Sequence, residues 1–324
     1  MTFDDRFWLL AAALILDAVV GDPDAVWRRL PHPVAIVGAL VGALDRALNR
    51  EEWSAAVRRA LGIVGLVVIV AIAAAVGIAL EAAFVAVPFG WIGTVTIAAI
   101  LLAGRSLYDH VSAVAVAFGH GVPAARIAVV RIVGRDPASL DEPGICRAAI
   151  ESTAENFSDA VVAPAIWFLL LGLPGLLAYK AINTADSMIG HLSERHRDFG
   201  WAAARLDDLV NWPAARVSGL LIALAAPLAG GSPANALRVM AADAGKHLSP
   251  NAGWPEAAMA AALGIALAGP RRYGGNTVDD PYMNETGRKA ASPADIHRAL
   301  RVYIGAIAIL FVLIAATAAV LTVL

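Results

Sequence analysis

Residues 61–80, LGIVGLVVIVAIAAAVGIAL, carry no charged side chain. At about 1.5 Å per helical residue this run matches the ~30 Å hydrocarbon core of a bilayer. Backbone groups in lipid must satisfy one another, so the stretch reads as a transmembrane helix. The rest of the chain can be read outward from it. Residues 82–104 form a second uncharged block, interrupted near Pro88, Gly90 and Gly93, and with 61–80 they suggest a transmembrane hairpin. Residues 302–324 are charge-free and form the clearest further span. Residues 160–179 are also apolar, but Gly172-Leu173-Pro174-Gly175 interrupts them. A re-entrant turn there is the preferred reading. The apolar stretches 217–230 and 257–269 are short, and 7–16 is shorter and ends at Asp17. Stretches of that length are expected to be buried or re-entrant.

Composition agrees. Of the 324 residues 59% are hydrophobic and only 16% charged, too few charges for a soluble domain of this size. The net charge of −2 argues against nucleic-acid binding. Cys146 is the only cysteine, which excludes an intrachain disulfide and a cysteine-based metal site. The expected class is all-α: a polytopic integral membrane protein with about four to seven membrane-embedded helices, some short or re-entrant, plus cytoplasmic helical segments. The N-terminal MTFDDRFWLL puts acidic residues before its apolar stretch and does not read as a removable signal.

Basic residues orient the chain. Arg46, Arg50, Arg58 and Arg59 precede the 61–80 span, and Arg105, Arg126, Arg131 and Arg135 follow the hairpin. Arg288, Lys289, Arg298 and Arg301 precede the last span. The positive-inside rule makes these regions cytoplasmic and the C-terminus external. A re-entrant turn at 172–175 would keep 180–211, with Arg195, Arg197 and Arg205, on the cytoplasmic side. On this reading one polytopic domain covers 1–324. Segments 105–159 and 180–212 are cytoplasm-facing helices that form a polar site, and 271–300 is a cytoplasmic loop. Leu107, Val111, Val114 and Phe118 recur at helical spacing as packing residues. Tyr273-Gly274-Gly275-Asn276 and Asp279-Asp280-Pro281 mark a turn-rich loop.

Three polar stretches stand against this apolar background. ESTAENFSDAVVAPAIW, 151–167, spaces Glu151, Glu155 and Asp159 at four-residue intervals, one acidic stripe on a helix. YKAINTADSMIGH, 179–191, sets Lys180, Thr184, Ser187 and His191 on one face with Asn183 and Asp186 beside it. ARLDDLVNWPAAR, 204–216, clusters Asp207, Asp208 and Asn211 ahead of Pro213, which is expected to end or kink the helix. Any one stretch reads equally well as a solvated face. Three of them flanking an apolar block favour a polar cavity, because ionisable groups at membrane depth are costly unless paired or functional. Carboxylates with Asn and Thr are hard oxygen ligands of the kind Mg²⁺ takes alongside substrate phosphates. Lys180, Arg195, Arg205 and Arg216 suit phosphate or carboxylate oxygens. The set fits phosphoryl chemistry or a phosphorylated substrate.

Other patterns say less. No GxxxxGK[ST] loop occurs. Gly119-His120-Gly121-Val122-Pro123-Ala124 loosely matches a dinucleotide loop but follows helical periodicity rather than a strand. His32, between two prolines and after Gly21-Asp22-Pro23, belongs to a rigid loop, with substrate contact as the alternative. Asp243, Lys246 and His247 form a second polar knot.

Long blocks in fixed order then point to a family. These are "GDP" at 21–23, "HPV" at 32–34, "GRDPASLDEPGICRAAIESTAENFSDAVVAPAIW" at 134–167, "GLPGLLAYKAINTADSMIGH", "FGWAAARLDDLVNWPAAR" and "NAGWPEAAMAAALGIALAGPRRYGG" at 251–275. Over nearly its whole length the chain resembles the CobD/CbiB family of adenosylcobinamide-phosphate synthases, to which the regulatory AmpE membrane family is distantly related. The resemblance implies a multi-pass inner-membrane ligase of cobalamin (vitamin B12) biosynthesis, its active site facing the cytoplasm. It implies joining of a corrinoid substrate, adenosylcobyric acid, to (R)-1-amino-2-propanol O-phosphate or ethanolamine phosphate, with ATP and Mg²⁺ as cofactors. Membrane lipid and other late cobalamin-assembly enzymes are the further partners it implies. Fitted to that reaction, Asp186, Asp207 and Asp208 are the candidate metal ligands. Arg205, Arg216 and Lys180 are candidates for phosphate. Glu151 or Glu155 would take the amine proton, and Asn156 and Asn183 would orient substrates. Asp159, Asn211, Lys246 and His32 complete the candidate substrate-binding residues. A membrane transferase using Asp–Mg²⁺ pairs on a phosphorylated alcohol, and a non-catalytic sensor or transporter, are the rival readings. The first should show two Asp-rich motifs, and a transporter paired repeats.

Overall fold

The computed structural model describes residues 2–133, 140–273, 276–278 and 280–323. Arg135, Gly274, Gly275 and Asp279, all singled out above, lie outside them. The protein is helical with almost no sheet, and among the described residues five helical segments are long and apolar enough to cross a membrane: Ala55–Val85, Trp91–His120, Glu142–Ile189, Trp201–Ala229 and Pro293–Leu321. In chain order the helices are α1 (Phe3–Val20), α2 (Asp24–Trp27), α3 (Pro33–Leu48), α4 (Ala55–Val85), α5 (Trp91–Leu101), α6 (Gly104–Ala117) and α7 (Val122–Val129). They continue with α8 (Glu142–Phe157), α9 (Ala163–Ile189), α10 (Trp201–Ala225), α11 (Pro233–Asp243), α12 (Gly253–Leu263) and α13 (Pro293–Leu321). The chain forms two units. The first comprises Met1–Ala103, Ala163–Asn211 and Ile314–Leu324, and the second Gly104–Val162 and Trp212–Leu313.

In the first unit α4 grows from the charge-free run in both directions. Ser54 caps it, its hydroxyl accepting the Val57 N–H at 3.4 Å. Its 31 residues extend about 46 Å, more than a bilayer core needs. Val41 of α3, Leu66, Ile69 and Ala73 of α4, and Ala181, Ala185 and Ile189 of α9 share a core with Phe199 and Ala203. Small residues let the backbones meet. A Cβ on Gly62 would strike the Phe199 carbonyl, and one on Gly77 would lie 2.5 Å from the Pro174 Cα.

The interruption expected at 172–175 is a break inside α9. Gly172 has φ 69° and ψ −152°, a conformation that needs glycine. The two pieces are held by opposite charges. Arg6 Nη1 donates to the Leu169 and Leu170 carbonyls at 3.2 and 2.6 Å, at the C-terminal end of the first piece. Glu81 Oε2 accepts the Leu173 N–H at 3.2 Å, at the N-terminal end of the second. Both signs suit the helix dipole. The second piece then runs beside α4 toward its basic end. There Asn49 Nδ2 donates to the Arg195 carbonyl at 3.0 Å, Arg58 donates to the same oxygen, and Arg59 lies 3.6 Å from Asp198. Residues 194–198 thus sit at the same end of α4 as Arg58 and Arg59.

Asp45 anchors that end. Arg195 Nη2 donates to its Oδ2 at 2.8 Å, Asn49 Nδ2 donates to its Oδ1 at 2.7 Å, and His196 Nε2 stands 3.5 Å away. Burial pushes the Asp45 carboxyl up, but the Asn49 and Arg195 hydrogen bonds outweigh it and hold it below the usual carboxylate range. A carboxyl lowered on folding stabilises the fold above its unfolded value and loses that contribution as pH falls through its folded one. The thermal stability of wild type over Asp45→Asn is therefore expected to be level above about pH 5 and to shrink as pH drops below the ordinary Asp value of 3.8. A difference that stays constant on acidification would remove this assignment.

Other expectations are corrected. α1 continues through Asp17, which is buried, so that charge does not end the segment. The second limb of the hairpin lies further along the chain than expected: the apolar segment long enough to cross is Trp91–His120, which starts with α5 and carries a break at Leu102. Of the two outcomes expected at Pro213, an end or a kink, the end does not occur, since α10 runs on to Ala225.

In the second unit the expected helical region is α6, α7 and α8, with Leu107, Val111 and Val114 buried and Phe118 partly exposed. The short apolar run near 257–269 is a buried helix, α12, packed against α8 and α11. The stretch expected as a loop holds paired strands instead. β1 (Leu267–Ala268) pairs antiparallel with β4 (Tyr282–Met283), and β2 (Arg271–Tyr273) with β3 (Asn276–Val278). Tyr303 of α13 donates its hydroxyl to the Gly104 carbonyl at 2.7 Å and stacks edge-on against Phe157.

Candidate functional site

The polar stretches fall in different units, and each group is built by its own neighbours. In the first unit α9 and α10 place Asn183 and Asp207 side by side. Asn183 Nδ2 donates to Asp207 Oδ1 at 3.3 Å, and Asn211 Nδ2 donates to Asp207 Oδ2 at 2.9 Å. The Tyr179 hydroxyl donates to Asn211 Oδ1 at 2.8 Å, which fixes which end of that amide faces the carboxylate. Tyr179 and Asn211 are each 1% exposed and Asp207 8%. Both Asp207 oxygens are thus held by amides and keep further lone pairs. Asp186 and Asp208 are near enough to repel Asp207. The Asp186 carboxylate lies over Gly190, where any Cβ would collide with it. Asp208 lies 3.5 Å from the exposed Arg205. Thr184 donates its hydroxyl to the Lys180 carbonyl, so its place on the polar face is structural.

The three candidate metal ligands, Asp186, Asp207 and Asp208, all lie in the first unit. Among the described residues no set of three His, Cys, Asp or Glu side chains forms a ready-made metal cage. Mg²⁺ does not need one, since it commonly takes one or two carboxylates with water and substrate phosphate oxygens. Asp186 and Asp207 fit that requirement.

In the second unit the acidic stripe does not present one surface. Glu151 is 5% exposed and its Oε1 accepts the Ala268 N–H at 2.7 Å, which ties α8 to β1. Glu155 is exposed, and a π-helical turn over Ser158–Val162 shifts the register before Asp159. Asn156 donates to the Ser152 carbonyl at 2.9 Å. Arg216 is held between the Trp212 and Trp254 rings, 4.3 and 4.5 Å from their centroids, and donates to Asn251 Oδ1 at 2.9 Å. A guanidinium clamped between indoles keeps its remaining N–H groups in a fixed plane, suited to a phosphate or carboxylate. Lys246 is engaged by Asp243 at 2.7 Å, whose other oxygen accepts the Asn284 N–H at 2.7 Å. That knot is built as a structural clip.

His32 lies in the first unit. Its Nδ1 accepts the Val34 N–H at 3.2 Å as the N-cap of α3, and its ring meets Trp27 edge-on. Sequence reasoning passed over Tyr179, Trp212, Asn251 and Trp254. All four stand inside the motif blocks quoted above, the one local signal that could have raised them.

The family model described as CobD/Cbib protein matches residues 10–303, a range that holds every site residue named here. The chain belongs to the CobD/CbiB family. A relative named Cobalamin biosynthesis protein CobD, from Rhizobium meliloti (strain 1021), is 53% identical over 96% of this chain and 96% of its own length. Proteins of the same name from Brucella suis biovar 1 and Rhodobacter capsulatus are 51% and 47% identical, each over at least 90% of both chains. No solved structure matches this family member. The family range covers both units, so the Asp207 cluster and the Trp-clamped Arg216 are both parts of one CobD/CbiB chain.

Proposed function

We propose that this CobD/CbiB protein is an ATP-dependent ligase of cobalamin biosynthesis in the inner membrane, with its polar site toward the cytoplasm. It would join the carboxylate of adenosylcobyric acid to the amine of (R)-1-amino-2-propanol O-phosphate, or of ethanolamine phosphate, to give the corresponding phosphorylated amide. The names of its relatives support the pathway. The observation that carries the chemistry is the buried Asp207 carboxylate, held by two amides beside Asp186.

A carboxylate resists amine attack, because its charge repels the nucleophile and oxide is a poor leaving group. Transfer of the terminal phosphoryl of ATP to the carboxylate oxygen gives an acyl phosphate and ADP. The amine nitrogen then forms a bond to the acyl carbon, the carbon–oxygen bond to phosphate breaks, inorganic phosphate leaves, and one amine proton passes to a base. Asp186 and Asp207 would hold Mg²⁺, which supplies charge neutralisation at phosphate oxygens when bound. Arg205, exposed and weakly paired, and Lys180 would meet phosphate oxygens. Glu151 or Glu155 of α8 would be the proton acceptor.

The test is a reconstitution. Purified protein is supplied with adenosylcobyric acid, aminopropanol phosphate and Mg-ATP. The expected result is a corrinoid mass gain equal to condensation with loss of water, matched by release of ADP and phosphate. A mass gain without ATP, or none with it, would overturn the proposal.

A further inference from the structure

The C-terminal end of α4, opposite Arg58 and Arg59, holds a feature that the ligase reading does not use. Residues of α1, α4, α5 and the 86–90 turn line an open hollow of about 390 Å³. That volume lies within the range of small-molecule sites. Four aromatic side chains wall it, Trp8, Phe84, Phe89 and Trp91, together with the carboxylates of Asp5 and Glu81. No Lys, Arg or His is among its described lining residues.

The carboxylates are positioned, and each is fixed through one oxygen. Asp5 Oδ2 accepts the Thr2 N–H at 2.9 Å, and Glu81 Oε2 accepts the Leu173 N–H at 3.2 Å. The Thr2 hydrogen bonds hold Asp5 below the usual carboxylate range, so it is ionised at neutral pH. The aromatic wall is positioned too. Phe89 has φ 60°, a left-handed conformation that bulky residues seldom adopt. Gly90 beside it packs onto the Phe84 carbonyl so closely that a Cβ could not fit. Backbone strain of this kind recurs at ligand clamps. Aromatic faces attract cations but cannot ligate a metal, and two carboxylates make too small a set for a metal cage.

We propose that this hollow binds the ammonium group of an amine, its charge met by Asp5 and Glu81 and its carbon substituents by the four rings. The amine is either an aminophospholipid headgroup or a small alkylammonium from solution. Val85, Val87 and Phe89 at the rim are exposed, as a headgroup site at the membrane surface would need. The site shares no residue with the Asp207 cluster, so the proposal stands or falls apart from the ligase reading.

The test uses the full chain in nanodiscs of phosphatidylglycerol alone or mixed equally with phosphatidylethanolamine. Native mass spectrometry reads the retained lipid, and calorimetry in the phosphatidylglycerol discs reads binding of propylammonium. Retained phosphatidylethanolamine assigns the lipid source, and a propylammonium isotherm assigns the soluble one. The double variant Asp5→Asn, Glu81→Gln keeps an oxygen for each backbone N–H and is expected to weaken binding at least ~10-fold. Trp91→Leu leaves the charges alone, and about threefold to tenfold weakening is expected. It keeps the test decisive should the double variant fail to fold by circular dichroism. Absence of both ligands from the wild type would overturn the proposal, as would wild-type affinity in the variants that fold.

Discussion

Replacing Asp207 by asparagine is expected to cut amide-forming activity at least ~100-fold while leaving the protein folded, the scale of losing one charged group that meets phosphoryl charge. The choice of asparagine matters. Alanine would leave the donors of Asn183 and Asn211 facing a hole, at about 1–3 kcal/mol for each unsatisfied buried donor. A loss of activity in that variant could then reflect unfolding. Asparagine keeps the shape and one acceptor oxygen and removes the charge. Asp186→Asn should show the same loss, because the two carboxylates act as one anionic pair. Tyr179→Phe isolates the orienting hydrogen bond on the Asn211 amide, where about a 10-fold loss is expected, typical of groups one layer behind a metal ligand. Activity against Mg²⁺ concentration separates the cases, since a variant with a weakened ion site should recover partly at higher Mg²⁺. Near-normal activity in both Asp186→Asn and Asp207→Asn, at any Mg²⁺ level, would remove the metal-site proposal.

What could be read in the sequence depended on whether its cause was local. The run 61–80 identifies α4 because a charge-free stretch of that length has one stable form in lipid. The break at Gly172 is legible for the same reason, since Gly and Pro punctuate an apolar run. Its partners are not, because Arg6 acts from 163 residues away and Glu81 from 92, and no local pattern joins them. Asp17 misled because charge was read as a terminator, and of the two outcomes open at Pro213 the end does not occur. A buried Asp and a proline inside a membrane helix are both tolerated when neighbouring groups satisfy what they disturb. The strands between 267 and 283 are two or three residues long, too short for an alternating pattern to show among so many turn residues. At the site, spacing groups Asp207 with Asn211 on adjoining turns of α10, and Asn183 reaches Asp207 from α9. Tyr179 stayed hidden because a tyrosine beside an apolar run reads as packing, and only the hydroxyl's reach to Asn211 gives it a second role.

The long helix α4 offers a sharp test of the packing that carries this arrangement. Gly77→Ala is expected to destabilise the protein by about 2–3 kcal/mol, the scale of overpacking a tight contact. The added Cβ would lie 2.5 Å from the Pro174 Cα, 2.6 Å from its nitrogen and 2.9 Å from the Leu173 carbonyl carbon. All three are backbone atoms, so no side chain can swing aside. Moving that backbone away would also pull the Leu173 N–H from Glu81, four residues along the same helix, and loosen the start of the second piece of α9. The gain in helix propensity on replacing glycine by alanine, about 1 kcal/mol, is smaller than this cost. Gly65 gives the contrast within the same helix. A Cβ there would meet Leu48 Cδ1 and Phe199 Cζ at 3.8 Å, ordinary contact distance. Gly65→Ala should therefore be neutral or stabilising by up to ~1 kcal/mol. Thermal unfolding in detergent, followed by circular dichroism, should separate the two variants clearly. Equal melting temperatures would mean that α4 and the Leu173–Pro174 backbone do not meet as closely as described, and the charge-held break at Gly172 would lose its fixed neighbour.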